Sequence, residues 1–277
     1  MARRLGPDDL VLCPGTLPRA TFRERVAAAA AGGFAGIALW LPHHRRARDE
    51  GLSDTDLRAL LADHGLAVTE IETVTDLGPC FRDGAAGPTA QERLAYAAAA
   101  AVGATTVTLV EGPGAPIAVD AAADAFTRVC ERAAAYGLDV AIECWPGSAI
   151  DVARAIAIVA AAGRPNGGLL VDTWHAHHDA HAHELLRGVD GAVVKAVQVA
   201  DVAGGAMDDY FAATMHARRL PGDGVADLVA WVRALDAVGS RAPLGVEVLS
   251  DALHALPPAE IARRAGDAMR ALLAAAR

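Results

Sequence analysis

Aromatic side chains make up 4% of this chain, and nothing in it resembles a long apolar run. The alanine-rich tracts at 27–31 and 97–102 fall far short of the roughly 20 residues that a membrane helix needs. The four cysteines, Cys13, Cys80, Cys130 and Cys144, are scattered and form no CxxC pair, which suits a reducing cytosol better than a disulfide framework. Positive charge is also short: the formal net charge is −9, which argues against nucleic acid or an anionic membrane as partner. A few local arginines would still suffice for a phosphorylated substrate. Behind the charges of Met1–Asp9 there is no apolar stretch of the kind a secretory signal carries, so a soluble, cytoplasmic protein is expected.

What is present is a 277-residue chain, 53% hydrophobic, long enough for a large core. Short β-branched or apolar runs at 10–13, 36–40, 67–71, 105–110, 139–143, 168–172, 193–198 and 243–248 read as strands. Between them, amphipathic stretches near 21–31, 53–63, 89–102, 119–136, 149–162, 179–187, 225–238 and 258–276 read as helices. Ser53-Asp54-Thr55-Asp56 marks one helix start and Pro257-Pro258 another, while Gly65, Gly103, Gly137 and Gly239 follow helix ends. Strand and helix therefore alternate eight times without a linker, which predicts a parallel α/β sheet. A closed (β/α)8 TIM barrel over residues 1–277, a single domain, fits better than an open doubly wound sheet. The turn after the first strand, Cys13-Pro14-Gly15-Thr16-Leu17, lacks the GxGxxG of a nucleotide-binding sheet.

In such a barrel, residues that end strands converge at the C-terminal mouth. Glu143, Asp172, Gln198 and Glu247 fall at the ends of strands five to eight, each interrupting an apolar run. Singly, each acid could cap a helix or pair with Lys195 or Arg218. Three carboxylates at one mouth repel one another, and a divalent cation resolves that repulsion. Three carboxylates and an amide oxygen make a hard site suited to Mn2+ or Mg2+, with Zn2+ or Co2+ less favoured without an imidazole. His175, three residues past Asp172, is placed to reach a substrate oxygen, or to cap a helix. His177, His178, His181 and His183 read as a solvated helix face, since no acid accompanies them as in HExxH.

The connection 199–224 is the longest near the mouth and carries Asp201 and Arg218, the arginine either a substrate contact or a surface ion pair. Trp40, Trp145 and Trp174 could stack on a sugar ring or pack in the core. His43, His44 and Glu111 follow strand ends as further substrate-facing positions.

Several segments carry a family likeness: Pro165–His175, Val197-Gln198-Val199-Ala200-Asp201, Arg218–Gly224 and Val246-Glu247-Val248-Leu249-Ser250, with weaker echoes in Glu50–Ser53 and Leu60–Leu66. With these the chain resembles the sugar phosphate isomerase/epimerase superfamily of xylose isomerase-like barrels over nearly its whole length. The resemblance implies a metal held by Glu143, Asp172, Gln198 and Glu247. It also implies that Glu143 and Glu247 exchange a proton with substrate carbon, while His175 and Arg218 bind substrate. Many members have histidine where this chain has Gln198, which matches a Gln-containing subgroup. Endonuclease IV shares the fold, but its trinuclear zinc site needs more histidines than this chain places.

The expected function is isomerisation or epimerisation of a small keto-sugar or hydroxy-ketone through an enediolate, with Trp145 and Asp201 as further substrate contacts. A metal-dependent dehydratase of the inosose or 3-dehydroshikimate type is the alternative, and a non-catalytic sugar-binding barrel a third reading. The expected partner is a sugar- or polyol-derived small molecule; a homodimer is allowed.

Overall fold

The β-branched and apolar runs become eight parallel strands that close on themselves in sequence order. They are β1 (Leu10–Leu12), β2 (Gly36–Trp40), β3 (Ala67–Val74), β4 (Thr106–Val110), β5 (Asp139–Glu143), β6 (Gly167–Asp172), β7 (Val194–Val199) and β8 (Leu244–Val246). The computed structural model describes residues 4–84, 87–205 and 207–277, the side chains of residues 79, 82 and 83 excepted. Pairing of β1 with both β2 and β8 closes the ring, so the barrel expected from eightfold alternation is the fold.

The helices are α1 (Phe22–Ala31), α2 (Leu41–Asp49), α3 (Asp54–Asp63), α4 (Gly78–Asp83), α5 (Ala90–Val102), α6 (Val119–Ala134), α7 (Val152–Ala162), α8 (Thr173–His177), α9 (Ala182–Arg187), α10 (Tyr210–His216), α11 (Leu228–Ala237), α12 (Asp251–His254) and α13 (Pro258–Ala276). The eight expected helices are all present. Thr21 with Glu24, Ser53 with Asp56, and Thr89 with Glu92 form reciprocal capping boxes that start α1, α3 and α5. The sequence pattern does not reveal α2, α4, α8, α10 and α12. These are short, and α2 (LPHHRRARD) buries only His43 and Ala47, too little apolar character to register as a stripe.

Side-chain parity sorts the strands into two faces. One parity packs outward against the helices in the main hydrophobic core, as Leu12, Ile37, Ile71, Val107, Ile142 and Val197 do. The other parity points into the barrel and is dominated by small residues. Val11, Cys13 and Ala38 form one small cluster, and Ala141, Leu170 and Ala196 another. Those short side chains leave room for long polar ones of the same parity, namely Glu70, Glu72, Glu143, Asp172 and Gln198. The site is therefore built by parity and small lumen residues together.

Candidate active site at the barrel mouth

Register places the four expected residues side by side. Asp172 pairs with Gln198, and Gln198 with Gly245, two residues before Glu247. Glu143 ends β5 opposite Leu170. The strand expected over 243–248 stops at Val246, and Glu247 continues it by donating its N–H to Val199 O at 3.0 Å. All four are nearly or fully buried.

Each acid has different company. Asp172 Oδ1 accepts the Trp174 N–H at 2.8 Å and so caps α8, while Oδ2 accepts Arg218 Nη1 at 2.8 Å. The helix cap and the arginine pair considered from sequence are thus both real for this residue. Lys195 instead donates to Pro165 O. Although burial favours the neutral acid, Arg218 and His175 hold Asp172 below the ordinary carboxylate range. Glu247 lies 4.0 Å from the same Arg218 Nη1 and accepts the Gly15 N–H at 3.1 Å. Burial outweighs that help and pushes its carboxyl up to about 7. Burial, then the Asp172 and Glu247 charges, push Glu143 well above its ordinary value.

Gly15 has no alternative at its position, because a Cβ there would stand 2.9 Å from both Cγ and Oε1 of Glu247. The turn that failed as a nucleotide loop therefore serves as a backbone donor to a mouth carboxylate.

His175 Nε2 faces Glu143 Oε1 at 3.6 Å and Asp172 Oδ2 at 3.7 Å. Glu143, Asp172 and His175 each offer an atom within 4.8 Å of the others, close enough for one cation. Gln198 is buried, its amide N–H beside the Glu72 carboxylate, whose charged form it favours, and its amide oxygen has no donor among the described residues. An unmet amide oxygen beside three carboxylates that share one guanidinium fits a divalent cation, because such orphans are otherwise costly.

Other expected residues have different places. Asp201, expected as a substrate contact, turns to its own loop. Its Oδ1 accepts the N–H groups of Val202 and Ala226 at 2.8 and 2.9 Å, and its Oδ2 those of Gly222 and Gly224 at 2.9 and 3.1 Å. The carboxylate is consumed in shaping its own loop. Trp174 is buried, with Arg218 over its ring at 5.2 Å. Trp145 is half-buried at the mouth, donating Nε1–H to Glu111 O and stacking on Tyr210. His43 is held between Trp40, Arg25 and Pro18 O.

Two site residues, Glu72 and Tyr210, and one acid deeper in the lumen, Glu70 level with the start of β4, escaped sequence reasoning. Glu70 and Glu72 interrupt apolar β3 at alternate positions, the same signal that exposed the other acids. Burial with neighbouring acids pushes Glu70 up to about 8, and Glu72 well above its ordinary value. Tyr210, which bonds His175, sits in the long 199–224 connection, where no periodicity singled it out.

Known proteins share this architecture. A 3-dehydroshikimate dehydratase of Pseudomonas aeruginosa is 29% identical over 266 residues, covering 94% of this chain and 40% of its own length. The chain thus spans about two fifths of that curated relative. The solved IolI protein with a bound zinc atom superimposes with a TM-score of 0.82 at 18% identity, covering 96% of this chain and 98% of that one. D-allulose 3-epimerase from Methylomonas sp. gives a TM-score of 0.71 at 16% identity, covering 98% and 100%. At those identities the two structures speak for the fold alone. A family model described as the xylose isomerase-like TIM barrel matches residues 26–272, and the chain belongs to that family.

Proposed function

We propose that the chain is a divalent-metal enzyme that removes the proton beside the carbonyl of a polyhydroxylated keto compound and expels its β-hydroxyl. The observation that carries the metal is the Gln198 amide oxygen, buried without a donor beside Glu143, Asp172 and Glu247. We assign these four as its ligands, with Mn2+ or Mg2+ favoured by their oxygen donors. Bound there, the cation would polarise the carbonyl and offset the negative charge that builds on its oxygen. Dehydration, rather than another outcome of proton removal, is supported by the 29% identical dehydratase relative.

The chain's own groups account for the proton steps. We assign Glu143 and Glu247 as the carboxylates that exchange a proton with substrate carbon, as general base and acid. One of the two removes the α-proton, and the β C–O bond then breaks as that carboxyl passes the proton to the leaving hydroxyl, which departs as water. Gly15 N–H fixes one Glu247 oxygen, leaving the other for substrate. Trp145 offers a ring face at the rim.

Epimerisation is the second reading, since the first step is shared. Two carboxylates in the cluster favour it: one removes the proton and the other returns it to the opposite face. The purified chain, with Mn2+, should be given 3-dehydroshikimate and a ketose panel in deuterated buffer. Dehydration gives new conjugated absorbance; epimerisation gives solvent deuterium in the ketose without it. Glu247→Gln should stay folded and lose either signal. Ligand-induced thermal stabilisation with neither signal would support a binding barrel and sink the enzyme reading.

A further inference from the structure

Gly15 is the turn residue whose N–H holds Glu247, and a Cβ in its place would press on that carboxylate. Glycine is also the residue least able to hold its own φ and ψ, because no Cβ restricts them. A glycine donor therefore stays aimed only if the peptides on both sides are tied from outside. Pro14 restricts the chain before it, and the Thr16 N–H bonds back to Cys13 O at 3.2 Å. Thr16 Oγ1 donates to Val246 O at 2.8 Å and accepts the Val248 N–H at 3.0 Å, which staples the far side of the turn to β8. The Gly15 carbonyl has a partner of another kind: it lies 2.9 Å from Nε2 of His254.

A carbonyl oxygen only accepts, so Nε2 carries the proton in this contact whether the imidazole is neutral or charged. The ring is half-buried and stands on a fixed base. His254 ends α12, where its own N–H donates to Ser250 O at 2.8 Å and its neighbour Leu253 is buried. Just before that helix, Leu249 O accepts the Arg218 N–H at 3.0 Å. The segment that presents His254 is thus anchored beside the buried arginine of the mouth.

We propose that His254 positions Glu247: its Nε2–H holds the Gly15 carbonyl, and that hold keeps the Gly15 N–H on Glu247 Oε1. His254 is a positioning residue, since a glycine and two hydrogen bonds separate it from the carboxylate. Without the imidazole donor the Gly15 backbone is free to turn, and Glu247 Oε1 loses the N–H that fixes it. The fixed oxygen decides where the other one faces, and about 1 Å of drift in a reacting group can cost on the order of 100-fold in rate. The kinetic part of this inference rests on the proposed reaction; the hold of His254 on Gly15 does not.

The test compares three variants. His254→Leu keeps most of the bulk without the donor, His254→Asn is polar but too short to reach, and His254→Gln carries an amide N–H at the length of Nε2–H. Amide hydrogen exchange is read by 1H–15N correlation on metal-free protein, with Gly15 assigned by its loss in Gly15→Ala. Gly15 should exchange about 3–10-fold faster in His254→Leu and His254→Asn, the worth of one hydrogen bond, and near the wild-type rate in His254→Gln. Amides of β4 and β5, across the barrel, should keep their protection in all three. In turnover, kcat should fall about 10–100-fold in the two variants that lack the donor, with KM little changed, and recover in His254→Gln. An unchanged Gly15 amide in both of those variants overturns the proposal. So does a loss of protection spread evenly over the barrel, which would make His254 a staple for α12 alone, and so does full kcat with a loosened Gly15. The expected Gly15 behaviour in a protein that turns over neither 3-dehydroshikimate nor a ketose would support the hold on Gly15 and count against the reaction.

Discussion

Arg218 and Asp172 are joined by a 2.8 Å bond with side chains 2% and 0% exposed, so the barrel mouth already contains one fixed cation. Arg218 also donates Nε–H to Thr214 O at 3.0 Å, which ties the loop end to α10. Removing one partner of a buried pair leaves the other uncompensated, at about 3–5 kcal/mol. Arg218→Ala should therefore lower Tm by many degrees in metal-free buffer. Added Mn2+ should recover more Tm in the variant than it adds to wild type, because the acids lose their resident positive charge. Equal metal-induced shifts in the two proteins, measured by differential scanning fluorimetry, would contradict a shared electrostatic site.

Gly15→Ala tests the backbone donor to Glu247. The added methyl must push against the Glu247 carboxylate and Leu249 Cγ, each 2.9 Å away. Overpacking of this kind costs about 1–3 kcal/mol, and the more telling loss is the displaced base. Displacement by about 1 Å can cost on the order of 100-fold in rate. Steady-state kinetics and a urea melt on the same preparation separate the two effects. Full activity in Gly15→Ala would remove the Gly15–Glu247 contact from the mechanism.

The fold was legible because each strand and each long helix carries its own period, and eight repeats leave few topologies. Glu143, Asp172, Gln198 and Glu247 were legible for a related reason: a polar residue ending an apolar strand has one place to go. Glu70 and Glu72 carried the same mark inside β3, but the strand was read as ending at 71, so Glu72 fell outside it. Arg218 and Asp201 could be located only in a loop, where spacing says nothing of direction. One turned inward to Asp172 and the other to its own backbone. Tyr210 had no signal at all, since its importance lies in a contact with His175 made across the mouth.

Asp201 gives the clearest separation of loop architecture from chemistry. Three of its four backbone N–H bonds tie 222–226 to the chain just past β7, the fourth being to adjacent Val202, and at Gly224 a Cβ would lie 2.4 Å from Asp201 Oδ1. Asp201→Ala leaves those donors without their carboxylate acceptor, at about 2–4 kcal/mol after water replaces some of them. The 199–224 segment should become a preferred protease site. Substrate KM should change less than the urea midpoint does. A large KM effect at unchanged stability would restore Asp201 to the substrate contacts.

His43 sets a testable acid limit on stability. Burial and the neighbouring Arg25 lower its imidazole from 6.5 to about 4. The unfolded chain binds a proton at this residue below about pH 6.5, and the folded chain only near pH 4. In that window the unfolded state holds more protons, so stability is complete above pH 6.5 and falls as pH drops towards 4. The loss attributable to His43 approaches about 2–3 kcal/mol, from a shift worth 1.36 kcal/mol per pH unit. His43→Asn should be less stable than wild type at pH 7.5, having lost its bond to Pro18 O and its stacking on Trp40. The gap between the two proteins should narrow as pH falls to 4.5. Carboxylates titrate in both proteins and cancel in that difference, so parallel Tm–pH curves would mean that His43 is not the group that titrates.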